Sequence, residues 1–313
     1  MEESKGTYEA ARALFLEQPA SNGRVWLLLG TAVLFTLGAT GQSGWRNALV
    51  LLAVVLLHEL GHFIAMRAVG YVDIKIFFVP FLGAATTGWR LTRTSVLKEA
   101  AVLLAGPVPG ILLALGVSLA RPVSWALDPW LRPTVLLLLT INVFNLLPVG
   151  PLDGGRLLSM ALFSRHPFVQ VVFGGATSIA LGAWAFFQRD WLLGVLAFVT
   201  FFLAYGSEEL HSAAEAIREQ TCELSPRATA LTEEQVRLLY AASLSLVEGR
   251  LPRGEDTAAR QVAAQMIVRR MHALHAQASA PTPTLVTGML ASTLWALGMA
   301  VAAYVVSHVA WAF

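Results

Sequence analysis

Residues 47–68 read Asn47-Ala48-Leu49-Val50-Leu51-Leu52-Ala53-Val54-Val55-Leu56-Leu57-His58-Glu59-Leu60-Gly61-His62-Phe63-Ile64-Ala65-Met66-Arg67-Ala68. As a helix rising about 1.5 Å per residue, this stretch reaches roughly 33 Å, enough to cross the hydrocarbon core of a bilayer. Yet it carries His58, Glu59 and His62, and a hydrocarbon interior penalises an uncompensated charged side chain by roughly 3 kcal/mol or more. A bound cation would compensate them.

The rest of the chain agrees with a membrane location. Of its 313 residues 56% are hydrophobic and 13% charged, and the mean hydropathy is +0.62, which excludes an ordinary soluble globular domain. Apolar windows predict spans at Val25–Gly41, Asn47–Ala68, Val96–Leu119, Pro133–Leu147, Phe168–Phe187, Trp191–Tyr205 and Leu285–Trp311, hence an all-α polytopic membrane protein. The first 24 residues mix acidic and basic side chains and show no cleavable signal, so the first apolar segment is expected to stay as a span. Of the 22 Lys and Arg, all but Arg46, Arg121, Arg132 and Arg189 fall on the side of the amino terminus, which predicts that the N-terminus is cytoplasmic. The net charge of +2 then reflects anchoring at the membrane face and gives no argument for nucleic-acid binding. Arg outnumbers Lys nineteen to three, pointing to a GC-rich prokaryotic source and so to a prokaryotic cytoplasmic membrane.

Between the second and third spans, Tyr71 to Gly88 is β-branched and aromatic at first, then small and Gly-interrupted, a pattern that predicts a β-hairpin. From Ser207 to Thr284 the chain turns polar, with ten acidic and eight basic residues. Two amphipathic helices are expected there. One is capped by Thr232 with Gln235 and runs to about Glu248; the other runs from about Glu255 to Ala278, before Pro281 and Pro283. The domains are therefore expected at 1–24 (cytoplasmic segment), 25–206 (membrane core), 207–284 (helical cytoplasmic domain) and 285–313 (C-terminal span).

On a helix, residues four apart share a face, so His58 and His62 can present two imidazoles to one ion with Glu59 on the adjoining flank. An H-E-x-x-H pattern arises by chance in a chain this long with a probability on the order of one per cent. Zinc takes two imidazoles and a third protein ligand, leaving a position for water. The single cysteine, Cys222, offers no thiolate cluster, so the third ligand must be His or a carboxylate. Asp153 is the candidate. Pro148, Gly150 and Pro151 break the helix before it and Gly154-Gly155 let the backbone turn behind it, though the same composition also suits a polar loop at the membrane face. By the charge count, Asp153 and the His pair share one side and a similar depth. Asn142 and Asn145, one turn apart on the fourth span, can serve an oxyanion or substrate backbone, or hydrogen bonds between helices. His272 and His275 are expected to face solvent, and His166, His211 and His308 are assigned no chemistry.

With these residues in place, the chain resembles the site-2 protease family of zinc intramembrane metalloproteases. The resemblance rests on His58-Glu59-Leu60-Gly61-His62, on the N-x-x-P…D-G element carried by Asn145, Pro148, Pro151, Asp153 and Gly154, and on Ala105-Gly106-Pro107 in the third span. It covers roughly residues 25–205. It implies a six-span metalloprotease core with a membrane-reentrant β-hairpin, followed here by the helical domain and a seventh, C-terminal span. It implies one Zn2+ per chain on His58, His62 and Asp153, with Glu59 as the catalytic acid/base. It implies substrates that are membrane proteins with a transmembrane helix. The chain departs from the family in having Gly110 where Asn is frequent and Gly83-Ala84 where the hairpin often has a Gly pair; Gly83 is retained as a substrate-contact candidate. A silent relative that only captures membrane segments is disfavoured by the complete ligand set. An ion transporter is disfavoured because the ionisable groups gather in one cluster.

Overall fold

The computed structural model describes residues 2–17, 24–79, 83–90, 94–120, 130–163, 167–221, 224–252 and 257–310. They form two units: residues 21–89, 94–204 and 282–313 make the apolar one, and residues 1–20, 90–93 and 205–281 the polar one.

The apolar unit begins with α2, Arg24–Ala68, a helical run interrupted at Gly44, whose φ of 78° and ψ of 159° lie outside the helical region. Phe35 and Val55 share one buried cluster, with Leu28, Ala32, Leu56 and Phe63 packed around it. In a straight helix those two residues would stand about 30 Å apart. Ile76 and Phe78 belong to the same cluster, so the break at Gly44 turns the chain back and both halves of the run reach these residues. Two strands follow, β1 (Tyr71–Val79) and β2 (Gly83–Arg90), paired as a hairpin whose tip, 80–82, lies outside the described residues. Along β1, Ile74, Ile76 and Phe78 are buried, the alternation of a strand with one face on a core. The Phe78 N–H donates to the Thr31 hydroxyl at 3.0 Å, tying the strand to the first half of α2.

The expected third span is two helices, α3 (Val96–Ala105) and α4 (Pro107–Ala120), bent by 45°. Pro107 accounts for the bend: it lacks an N–H and clashes with a continuing helix, but suits the first turn of a new one. Next come α5 (Leu131–Leu146), the short α6 (Asp153–Leu158) and a π-helical turn over Ser159–Phe163, then α7 (Pro167–Gln188) and α8 (Trp191–Gln220). The last helix, α11 (Leu285–Ala310), sends Ala302 and Val305 into a buried cluster with Val54, Ile111, Val135 and Leu138. The predicted end of this span at Trp311 lies outside the described residues.

Among the described residues three helices are long and apolar enough to cross a bilayer: Gly44–Ala68, Val171–Gln188 and Leu285–Ser307. The bent pair α3–α4 makes a fourth if taken as one span, while Val25–Gly41, Leu131–Leu146 and Leu193–Phe202 are apolar but shorter. The chain is an integral membrane protein. The helix that carries the sixth apolar segment does not end with it. It continues as one helix to Gln220, because Glu, Ala, His and Arg after Tyr205 are compatible with a helix and no Pro interrupts them.

In the polar unit, α9 (Glu233–Val247) begins at Thr232 with both hydrogen bonds of the capping box, and α10 covers Thr257–Ala278. The predicted start of α10 at Glu255 lies outside the described residues. The N-terminal residues also join this unit. Helix α1 (Glu2–Leu16) buries Ala11 and Phe15 in one core with Leu239, Ile267, Met271 and Leu274.

Candidate metal centre

The i, i+4 spacing on α2 places both imidazoles on one face, and the turn at 147–152 that ends α5 brings the α6 N-terminus to meet them. His58 Nε2 lies 3.1 Å from His62 Nε2, and each Nε2 lies 3.2 Å from Asp153 Oδ2. With Glu59, these residues are only 5–8% exposed.

The other nitrogen of each ring already has a partner that can only accept. His58 Nδ1 is 2.9 Å from Asn142 Oδ1, and His62 Nδ1 is 2.8 Å from the Val102 carbonyl. The Asn142 amide donates to the Leu138 carbonyl at 2.7 Å, which orients its oxygen toward His58. Both rings thus carry a proton on Nδ1, which in the neutral imidazole leaves the Nε2 lone pair as a ligand on the side of the carboxylate. Three buried acceptors converging in this way call for a cation. Their spacing suits zinc: tetrahedral bonds of about 2.0–2.1 Å set neighbouring donors about 3.3 Å apart. Among the described residues this is the one group of three or more His, Cys, Asp or Glu so placed.

Close backbone approach builds the setting. A Cβ on Gly61 would lie 1.9 Å from the Ala105 carbonyl oxygen, and one on Gly106 would lie 2.3 Å from His62 Nε2. The helices α2 and α3 can therefore cross only where both lack a side chain. Gly110 plays the same part for the second imidazole's support, since its Cβ would fall 2.1 Å from the Asn142 amide nitrogen. The departure at Gly110 is thus paired with the presence of Asn142.

Glu59 is held by a residue that sequence reasoning missed. The Thr86 hydroxyl, on β2, lies 2.6 Å from Glu59 Oε2 and 3.2 Å from the Glu59 carbonyl oxygen. A Thr in a small-residue strand carries no sequence signal of such a role; only the hairpin's docking reveals it. Of the two readings open for Asn142, the described contacts are the hydrogen bond between helices, with both ends of its amide engaged. Asn145, half-buried, donates to the Ile141 carbonyl at 2.9 Å. Gly83 opens β2 with a φ of 113°, and a Cβ there would meet nothing within 4 Å.

The remaining histidines fall elsewhere. His275, expected to face solvent, is buried instead: its Nε2 donates to the Ser225 carbonyl at 2.7 Å and its ring meets Phe15 edge-on at 5.7 Å. His272 packs on the same Phe15 at 4.9 Å. Both serve the core that α1 completes. His211 is buried beside Gln277, 2.6 Å from its amide. His308 lies in α11, and His166 lies outside the described residues.

No protein-family model matches the chain. Stage IV sporulation protein FB of Bacillus subtilis is 30% identical over 191 residues, 58% of this chain and 64% of that protein. The putative zinc metalloprotease Rip3 of Mycobacterium tuberculosis is 33% identical over 184 residues, 53% of this chain and 46% of that protein. A zinc metalloprotease of Methanocaldococcus jannaschii is 27% identical over 195 residues, 57% of this chain and 55% of that protein. The chain therefore spans less than two thirds of the length of these relatives. A solved site-2 protease from Methanocaldococcus jannaschii aligns with 58% of this chain and 89% of its own, at a TM-score of 0.40 and 24% identity. Over somewhat more than half of its length the chain is thus similar to proteins named as zinc metalloproteases.

Proposed function

We propose that the protein is an intramembrane zinc endopeptidase that hydrolyses peptide bonds in or near the transmembrane segments of membrane-protein substrates. The single observation that carries this is the convergence of three buried lone-pair donors, His58 Nε2, His62 Nε2 and Asp153 Oδ2, beside a buried Glu59. His58, His62 and Asp153 hold the zinc. When bound, zinc supplies Lewis acidity, polarising a carbonyl and lowering the pKa of a water in its open position toward about 7.

The chain's own residues do the rest. Asn142 and the Val102 carbonyl fix the imidazole tautomers so that Nε2 faces inward. Glu59 accepts the proton of the attacking water and passes it to the leaving amine, while Thr86 holds the carboxylate in register. Peptide bonds in a substrate helix are shielded by their own hydrogen bonds, so the helix must unwind at the site. The edge strand β2, which carries Thr86, can pair with the extended segment. Gly83 at the hairpin turn and the side-chain oxygen of Asn145 are then the further points where substrate backbone is met.

In this reading the seven apolar helices cross the membrane with the N-terminus cytoplasmic, the hairpin enters it, and residues 207–284 lie in the cytoplasm. Cleavage of a single-span substrate would release a cytoplasmic fragment, as in regulated intramembrane proteolysis. The test is Glu59→Gln. Purified in detergent, this variant should keep about one zinc per chain but fail to cut any of a panel of single-span proteins that the parent cuts. Proteolysis retained at the parent rate would refute the role of Glu59; a parent without zinc would refute the metal centre.

A further inference from the structure

The C-terminal helix α11 is more than an added anchor. Gly288, Ala291, Trp295, Gly298, Ala302 and Val305 recur at steps of three and four and so share one face. That face lies on the part of the fold that carries Asp153. A Cβ on Gly288 would lie 2.4 Å from the Ala161 carbonyl oxygen, just beyond α6, and Ala291 is fully buried in a cluster with Leu157, Ala161, Ala100 and Leu103. One turn further on, the Trp295 indole Nε1–H donates to the Leu146 carbonyl at 2.9 Å.

Leu146 ends α5, and a helix leaves its last carbonyls without partners inside the helix. Pro148 and Pro151 follow, and neither has an N–H to offer. Among the described residues the Trp295 indole is the donor to this carbonyl. On its other side the same carbonyl carries the turn of the metal ligand: a Cβ on Gly154 would fall 2.0 Å from the Leu146 oxygen and 2.7 Å from the Leu147 oxygen. The backbone next to Asp153 thus rests directly on a peptide group whose orientation Trp295 sets.

We propose that Trp295 is a positioning residue for the zinc ligand Asp153, so that the C-terminal helix is a working part of the metal centre. The proposal rests on the reading of His58, His62 and Asp153 as the zinc site. In an apolar surround no water replaces the lost donor, so removing the indole N–H frees the 146–147 peptide to rotate and loosens the Asp153-Gly154 turn upon it.

The experiment uses the full chain in detergent and measures zinc affinity by competition with a chromogenic chelator, together with the melting temperature of the zinc-free form. Trp295→Phe should hold zinc about tenfold more weakly, the lower end of what loss of a supporting hydrogen bond costs a metal site. Its zinc-free melting should stay close to the parent's. Val305→Ala, on the same face but within the cluster of Ile111 and Leu138, should lower the melting temperature and leave zinc affinity unchanged. Should Trp295→Phe not fold, replacement of Trp295 by benzothienylalanine removes the N–H from a ring of nearly the same shape, and the same tenfold loss is expected. Parent-like zinc affinity in the N–H-deficient protein overturns the proposal, as does an equal loss in Val305→Ala. Asp153→Ala separates the two levels: tight zinc binding in that variant would sink the metal-site reading itself.

Discussion

Gly106→Ala puts the most pressure on the geometry of the metal centre. A Cβ at that position would lie 2.3 Å from Nε2, 2.6 Å from Cε1 and 2.8 Å from Cδ2 of His62. Non-bonded heavy atoms settle at about 3.5–4.0 Å, so the imidazole would have to retreat by roughly 1.2 Å from its coordinating edge. A metal site tolerates bond-length errors of only about 0.2 Å. The ring cannot absorb the shift by swinging, because its Nδ1 is held on the Val102 carbonyl. One of three protein ligands is therefore lost, and zinc affinity should fall by more than the roughly 10–100-fold that follows loss of a mere supporting contact. The assay is metal content after gel filtration, with chelator competition for the affinity. Gly116→Ala on α4 is the matched control, since its Cβ would meet nothing within 4 Å, and it should keep parent zinc content. A Gly106→Ala protein that retains one zinc at parent affinity would refute the placement of His62 against the α3–α4 bend, and with it His62 as a ligand.

Two further predictions concern Glu59 and the polar unit. Thr86→Val removes the hydroxyl that reaches Glu59 Oε2 but keeps the volume of the side chain; cleavage of a substrate captured with the Glu59→Gln protein should fall about tenfold or more, the worth of a hydrogen bond to a charged group. Thr86→Ser should restore most of the rate, and equal rates in both variants would remove Thr86 from the mechanism. In the polar unit, burial holds the pKa of His275 below its ordinary value, with nearby Arg90 adding to the effect and the Ser225 carbonyl opposing it; His272 is lowered by burial and by His275. The unfolded chain therefore binds protons that the folded unit refuses. The stability this contributes is complete above about pH 6.5 and is lost as pH falls through the depressed folded values. Amide exchange in α1 and α10 of the full chain should accelerate between neutral pH and pH 5 beyond the intrinsic pH effect, and a His272→Asn/His275→Gln protein should lack that acceleration.

What could be read along the chain was whatever repeats at a local period or breaks one. The four-residue step between His58 and His62 fixes a shared helix face without reference to anything else. The capping pair Thr232 and Gln235 marks a helix start by itself, and the run Tyr71 to Val79 shows strand character through β-branched and aromatic residues. The Pro and Gly residues around Asp153 announce a turn, and hydropathy alone locates the apolar helices, because a hydrocarbon surround demands apolar side chains along each. Other features have no such signal. The continuation of α8 through Tyr205 depends on there being no terminator, which a composition change resembles. The burial of His275 depends on Phe15, some 260 residues earlier.

Tertiary structure alone decided the support around the candidate ligands. Thr86 reaches Glu59 across 27 residues, Asn142 reaches His58 across 84, and Trp295 reaches Leu146 across 149. Gly61, Gly106 and Gly110 look like ordinary membrane glycines until the helices cross at them. The physical reason is that a donor set is defined by chemistry, which each residue carries with it. Orientation, tautomer and clearance are defined by neighbours that only packing brings near.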